Sequence, residues 1–192
     1  IQLHQVLLFI LRVLILAALA LALARPVFSP GRASGNAERF LILDVSRSMA
    51  YQVSGQPRPI DRARTLAERL LVGGRAGDRT AVILAGGRQP EPLGPLADDP
   101  RPLLARVRAV RAETTEGQIT EALSTVAALL ADRRSQARIE LLILTDNQAQ
   151  AWEPSHVARF LNAVPGPIAV RVISVEPEAP ENGWIASAVL HP

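Results

Sequence analysis

Between Phe40 and Met49 the sequence reads FLILDVSRSM, an apolar run that stops at Asp44 and continues with hydroxyls at alternate positions, Ser46 and Ser48. A second apolar run, LLILTD, ends in the same way at Asp146. An aspartate followed by alternating hydroxyls on a tight loop aims several oxygens at one point. Two carboxylates placed together repel, so their convergence makes sense mainly with a cation between them. Oxygen donors without His or Cys favour a hard ion over zinc: Mg²⁺, with Mn²⁺ or Ca²⁺ as alternatives. Such an ion keeps waters and an exchangeable position, which a partner's carboxylate can take. The competing reading makes Asp44 and Asp146 helix caps and Ser46 and Ser48 ordinary turn residues.

Strands and helices must carry these residues to one place. Apolar patterning predicts strands at Arg39–Asp44, Arg79–Ala85, Glu91–Pro95, Ile139–Thr145 and Ile168–Val175. Helices are expected at Ile60–Leu71, Pro100–Val110, Ile119–Asp132 and Pro154–Val164. The alternation implies an α/β fold: a doubly wound, mostly parallel sheet with helices on both faces. FLILD, AVILA and LLILT are apolar on both sides of the pleat, as strands buried on both faces must be. EPLGPL, with two prolines, fits only an edge strand or a loop. In such sheets ligands collect outside the carboxyl ends of the strands where the strand order reverses. If the strands ending at Asp44 and Asp146 are neighbours there, the two carboxylates meet.

Val6–Ala24 is continuously apolar apart from Arg12, and a helix of about twenty such residues crosses a hydrocarbon core. Residues 1–28 are therefore expected to hold a transmembrane helix, with Arg12 reaching along its stem to one headgroup layer and Arg25 and Arg32 beyond the other end. A secretory signal peptide or a buried core helix are the alternatives; RPVFSP is a poor cleavage site. Residues 29–37 read as a Pro/Gly/Ser linker. Ile1 in place of methionine and the strand-like Trp184–Leu190 suggest an excerpt of a longer chain.

Composition removes several chemistries. Of 192 residues 48% are hydrophobic, which supplies a core and excludes a disordered chain. With no cysteine there is no disulfide, thiolate metal site or thiol nucleophile. With no lysine there is no phosphate-loop lysine, no Schiff base and no lysine beside a phosphorylated aspartate. A formal charge of +3, and arginines at 101, 106, 108 and 111 without interleaved aromatics, favour a solvated helix face over nucleic-acid binding. A metal-assisted hydrolase would need a general base, and the histidines are His4, His156 and His191, none beside either aspartate in sequence. No G-x-S-x-G elbow exists to make Ser46 or Ser48 a nucleophile.

Over Glu38–Glu176 these features resemble the von Willebrand factor type A domain, whose metal-ion-dependent adhesion site uses D-x-S-x-S, a threonine from a second loop, and an aspartate in a TD pair. Asp44, Ser46 and Ser48 match the first element, and Asp146 the last, with Asn147 where glycine is usual. The second loop departs from the pattern: GQITEAL puts Gly117 at the threonine's place, leaving Thr115 or Thr114 as displaced candidates. The resemblance thus implies a metal set of Asp44, Ser46, Ser48, Thr115 and Asp146, and a non-enzymatic module that binds an acidic side chain of a protein partner, with no small-molecule substrate. The same fold with a degenerate, metal-independent site is the alternative. ALARP before the domain and TDNQAQAW resemble bacterial BatA-type aerotolerance regulators, in which Gln148 and Trp152 match T-D-x-Q-x-x-x-W. That narrower resemblance implies an inner-membrane protein with a periplasmic domain at 38–178, envelope or membrane proteins as partners, and a β-rich domain opening at 179–192. Trp152 itself reads as a packing residue over a helix end.

Overall fold

The computed structural model describes residues 2–24, 36–87, 89–131, 137–164 and 166–177. The chain divides into two compact units, Ile1–Ser34 and Gly35–Pro192. In the first, α1 (Gln2–Ala24) is one continuous helix. Its side chains are described from His4 to Leu16, and all of these are exposed. Among the described residues no helix is long and apolar enough to cross a membrane. The span expected over Val6–Ala24 runs into side chains outside the described residues, as do Arg25, Arg32 and the segment 179–192.

The second unit is built on a sheet in the order β3-β2-β1-β4-β5. Its strands are β1 (Ala37–Asp44), β2 (Arg79–Ala85), β3 (Glu91–Pro92), β4 (Arg138–Thr145) and β5 (Ile168–Ser174). All pairings are parallel except that of β3 with β2. The helices are α2 (Pro59–Val72), α3 (Arg101–Ala109), α4 (Ile119–Ala131) and α5 (Pro154–Ala163). This is the α/β sandwich expected from the alternation of patterns, and the chain reverses its strand order between β1 and β4.

The central strands bury both faces. Phe40, Ile42, Ile83, Ile139, Leu141 and Ile143 pack with α4 and α5. Their neighbours Leu41, Leu43, Val82, Leu142 and Leu144 pack with α2 and α3. Alternation of side chains along each strand sends one set to each face, so the runs are apolar throughout. Burying each of these large side chains contributes roughly 1.5–3 kcal/mol, which makes the strand ends a rigid platform.

Two expected elements differ in extent by more than one residue at an end. β3 covers two residues rather than Glu91–Pro95, and runs antiparallel. Pro92 and Pro95 have no N–H to give a ladder, so regular pairing ends after Leu93 N–H reaches the Val82 carbonyl at 2.8 Å and returns only as the isolated bridge of Thr80 with Ala97. β1 begins at Ala37, within the stretch read as linker, because the Ala37 N–H donates to Asp78 Oδ1 at 3.0 Å.

Asp78 also accepts the Arg75 N–H at 2.9 Å and lies 3.4 Å from Arg39 Nη2, which in turn shares its guanidinium with Glu140. Burial pushes the Asp78 carboxyl up, but the N–H groups of Arg75 and Ala37 and the charge of Arg39 outweigh it and hold it below the usual carboxylate range. Asp78→Ala strands these donors in a buried setting and is expected to cost about 1–3 kcal/mol at neutral pH. A depressed folded pKa means that the charge-dependent part of this contribution is full above the unfolded value, about 3.9, and is lost as pH falls through the folded one. Urea unfolding of variant and parent should therefore differ less in acid than at neutral pH; a constant difference down to the lowest pH would contradict the assignment.

Candidate functional site

The register pairs Leu43 with Leu144, so Asp44 at the end of β1 stands level with Thr145 at the end of β4. Both side chains lie on the α4/α5 side of the sheet, as the alternation from Ile42 and Ile143 requires. Thr145 Oγ1 donates to Asp44 Oδ2 at 2.7 Å and accepts the Asn147 N–H at 3.0 Å. Asp44 Oδ1 accepts the Ser46 N–H at 2.9 Å, which bends the chain back over the strand end. The Ser46 and Ser48 hydroxyls then meet at 3.0 Å. Asp44, Ser46, Thr145 and Asp146 are all buried.

Asp146 is the least settled of these groups. Burial, and next to it the Asp44 charge, push its carboxyl above the usual range, against the hydrogen-bonding influence of Ser48 and Gln148. Its Oδ1 is buried with no hydrogen-bond partner. A buried unpaired acceptor costs about 1–3 kcal/mol. Two adjacent carboxylates and two hydroxyls make an oxygen-rich corner short of positive charge. Among the described residues no three His, Cys, Asp or Glu side chains converge. A cation held here would therefore rest on two carboxylates, hydroxyls and water, a donor set of the kind Mg²⁺ accepts.

The second loop is held against this corner by Arg47, the residue between the two serines. Its N–H donates to the Thr115 carbonyl at 2.9 Å, and its Nε and Nη2 donate to the Thr114 carbonyl at 3.1 and 3.0 Å. The clamp turns Thr115 away: its Oγ1 accepts the Gly87 N–H at 2.8 Å, and no hydrogen bond joins it to Asp44, Ser46, Ser48 or Asp146. The structure thus brings together four of the five residues expected as ligands and leaves Thr115 tying down the Gly87 loop. Gly117 stands against the cluster instead. A Cβ built there would lie 3.6 Å from Asp44 Oδ1, 3.6 Å from the Ser46 Cβ and 3.3 Å from the Ala151 Cβ.

Thr145 and Arg47 are site residues that the aspartate-and-serine pattern did not single out. The signals were present, in the T of the TD pair and in the arginine inside D-x-S-R-S. Trp152 packs against the α4/α5 core, as expected of a covering residue, although its Nε1 is buried without a partner. His156 lies on α5, 3.5 Å from Glu153.

Asn147 has φ 58°, the one left-handed non-glycine among the described residues. Glycine adopts this conformation without strain and asparagine tolerates it, whereas a β-branched side chain does not. Asn147→Gly is expected to leave stability within about 0.5 kcal/mol, and Asn147→Val to cost about 1–2 kcal/mol. Thermal unfolding of the pair checks this; equal melting temperatures would contradict it.

The sequence matches the family described as von Willebrand factor type A domain over residues 40–148. None of the curated proteins compared matches it. Among solved structures, it is similar to an aerotolerance-related membrane protein from Bacteroides fragilis at 19% identity and TM-score 0.60, covering 72% of this chain and 67% of that one. It is similar also to a von Willebrand factor type A protein from Catenulispora acidiphila at 19% identity and TM-score 0.59, over 72% of this chain but 33% of that one. At these identities the structures show a common fold. The direct sequence match extends over more than half of the 192 residues and runs from the strand that ends at Asp44 through the loop that carries Asp146, so the chain belongs to the von Willebrand factor type A domain family.

Proposed function

We propose that this domain is a membrane-tethered protein-binding module that grips an acidic side chain of a partner protein through a divalent cation held by Asp44, Ser46, Ser48 and Asp146. The observation that carries the reading is the buried, unpartnered Asp146 Oδ1 beside Asp44 at the switch point of the sheet. When bound, the cation supplies a Lewis-acidic position for an incoming carboxylate. Asp44 is fixed by Thr145 and by the Ser46 N–H, so one ligand arm is pre-oriented. Arg47 keeps the second loop closed over the corner, and the buried platform limits competing water. Thr115 serves the site by anchoring Gly87 rather than as a ligand. Membership in a family of interaction modules supports a protein partner and a non-enzymatic role. Within this unit the described histidine, His156, lies on α5 beside Glu153.

The tether rests on Val6–Ala24. From Val6 to Leu16 its large apolar side chains stand exposed on a helix, which lipid would cover. The similarity in fold to an aerotolerance-related membrane protein supports a membrane setting; the bacterial inner membrane and the periplasmic side rest on the resemblance of ALARP and TDNQAQAW to the BatA-type regulators. Gly117 at the threonine position favours a second reading, in which the same surface binds its partner without metal.

Chelation separates the two readings. Partner recovered with the full chain from membranes in Mg²⁺ should be lost in EDTA and regained when Mg²⁺ is restored; recovery that is equal in EDTA would support the metal-independent module.

A further inference from the structure

A recess of about 350 Å³ opens between the first half of α2 and the segment 110–112 that follows α3, beginning at Ala50, two residues past Ser48. Its floor is apolar, with Ile60 and Val110 buried there. Its walls carry Arg58, Arg64 and Arg111 against one carboxylate, Asp61, an excess of two positive charges. Two of the guanidiniums are held in place. Arg58 Nε donates to Asp61 Oδ2 at 2.8 Å, and Arg64 Nη2 donates to Asp61 Oδ1. Arg64 Nη1 also faces the carbonyls of Arg108 and Val110, each at 3.3 Å. Arg111 is exposed and has no ion-pair partner among the described residues.

We propose that this recess is a second anchor for the same partner, taking a carboxylate of an acidic segment whose neighbouring apolar side chain seats against Ala50 and Ala112, the accessible apolar part of the lining above Ile60 and Val110. Fixed guanidiniums lose little freedom on binding, and Arg presents a fork that matches a carboxylate. The volume suits a side-chain carboxylate with one apolar neighbour. Among the described residues no aromatic side chain lines the recess to stack a base, which favours an acidic peptide over a nucleic acid. The inference rests on the cation reading for its partner but on separate residues for its contacts.

The test uses the full chain in mild detergent and a short fluorescein-labelled peptide with two aspartates separated by leucines, its asparagine counterpart, and a labelled single-stranded DNA. Anisotropy should show the aspartate peptide binding and the asparagine peptide not. EDTA should weaken binding to the parent, and Arg111→Glu should weaken it by a further factor of about ten that is the same in Mg²⁺ and in EDTA. Arg159→Glu, an equal charge change on α5 across the sheet, should leave it unchanged. No peptide binding at millimolar concentration, Arg111→Glu behaving like Arg159→Glu, or tighter binding of the DNA overturns the proposal. Weakening by Arg111→Glu with no effect of EDTA would uphold the recess and sink the cation reading; the reverse pattern would sink the recess alone.

Discussion

Asp44→Ala should lower the affinity of the full chain for Mg²⁺ or Mn²⁺ about a hundredfold or more. Removing mere outer-shell partners of a metal already costs about 10–100-fold, and Asp44 is one of the two carboxylates brought together at the corner. The same change leaves the Ser46 N–H and the Thr145 hydroxyl without their acceptor, so a cost of about 1–3 kcal/mol in stability accompanies it. Asp44→Asn keeps one oxygen, which can still accept the Ser46 N–H, and turns an NH₂ towards the Thr145 hydroxyl, which must then accept rather than donate; it should cost less stability than Asp44→Ala and still lose the metal. It should also let the Asp146 carboxyl fall back towards its ordinary range, because the Asp44 charge is one of the influences raising it. The sign of the linkage follows. Without a cation, stability declines as pH rises from the unfolded Asp146 pKa through its raised folded value, since ionising that group in the fold is unfavourable. Saturating Mg²⁺ should flatten this slope. Isothermal titration and urea unfolding at two pH values measure both; an Asp44→Asn protein that binds Mg²⁺ like the parent would refute the role given to Asp44.

Gly117→Thr should move affinity the other way, raising it about tenfold or more, the equivalent of one added oxygen ligand worth roughly 1.4 kcal/mol. Its Cβ would meet Ala151 at 3.3 Å, a contact that closes with a shift of a few tenths of an ångström, and Asp44 Oδ1 at an ordinary 3.6 Å. Gly117 does not have the positive φ of Gly87 or Gly77, so no backbone requirement opposes a side chain. Gly117→Ala is the control: it adds the same Cβ without the hydroxyl and should not improve binding. A threonine variant no better than the alanine would mean that the second loop cannot reach the ion. The departure from the family pattern would then be permanent rather than a single missing oxygen.

Much of this architecture is legible in the chain itself, for identifiable reasons. FLILD and LLILTD are apolar on both faces and end in charge, so both their burial and their direction can be read, and their adjacency follows from the reversal of strand order. The edge position of EPLGPL follows from its prolines. The shortness of β3 does not, because the residue at which pairing fails depends on where Val82 presents its carbonyl. At the site, spacing alone placed Asp44, Ser46, Ser48 and Asp146. It could not place Thr115, whose hydroxyl goes to Gly87 only because Arg47 grips the neighbouring carbonyls, a contact between segments 67 residues apart. Asn147 was visible as an exception to a usual glycine, and the left-handed φ of 58° is the physical reason that asparagine can stand there.

What the Asp44–Asp146 corner lacks is positive charge. Isothermal titration of the metal-stripped full chain with Mg²⁺, repeated with Mn²⁺, tests that most directly. Saturable binding of one ion per chain, abolished in Asp44→Asn, is the predicted result. A folded protein that takes up neither ion at millimolar concentration would contradict it.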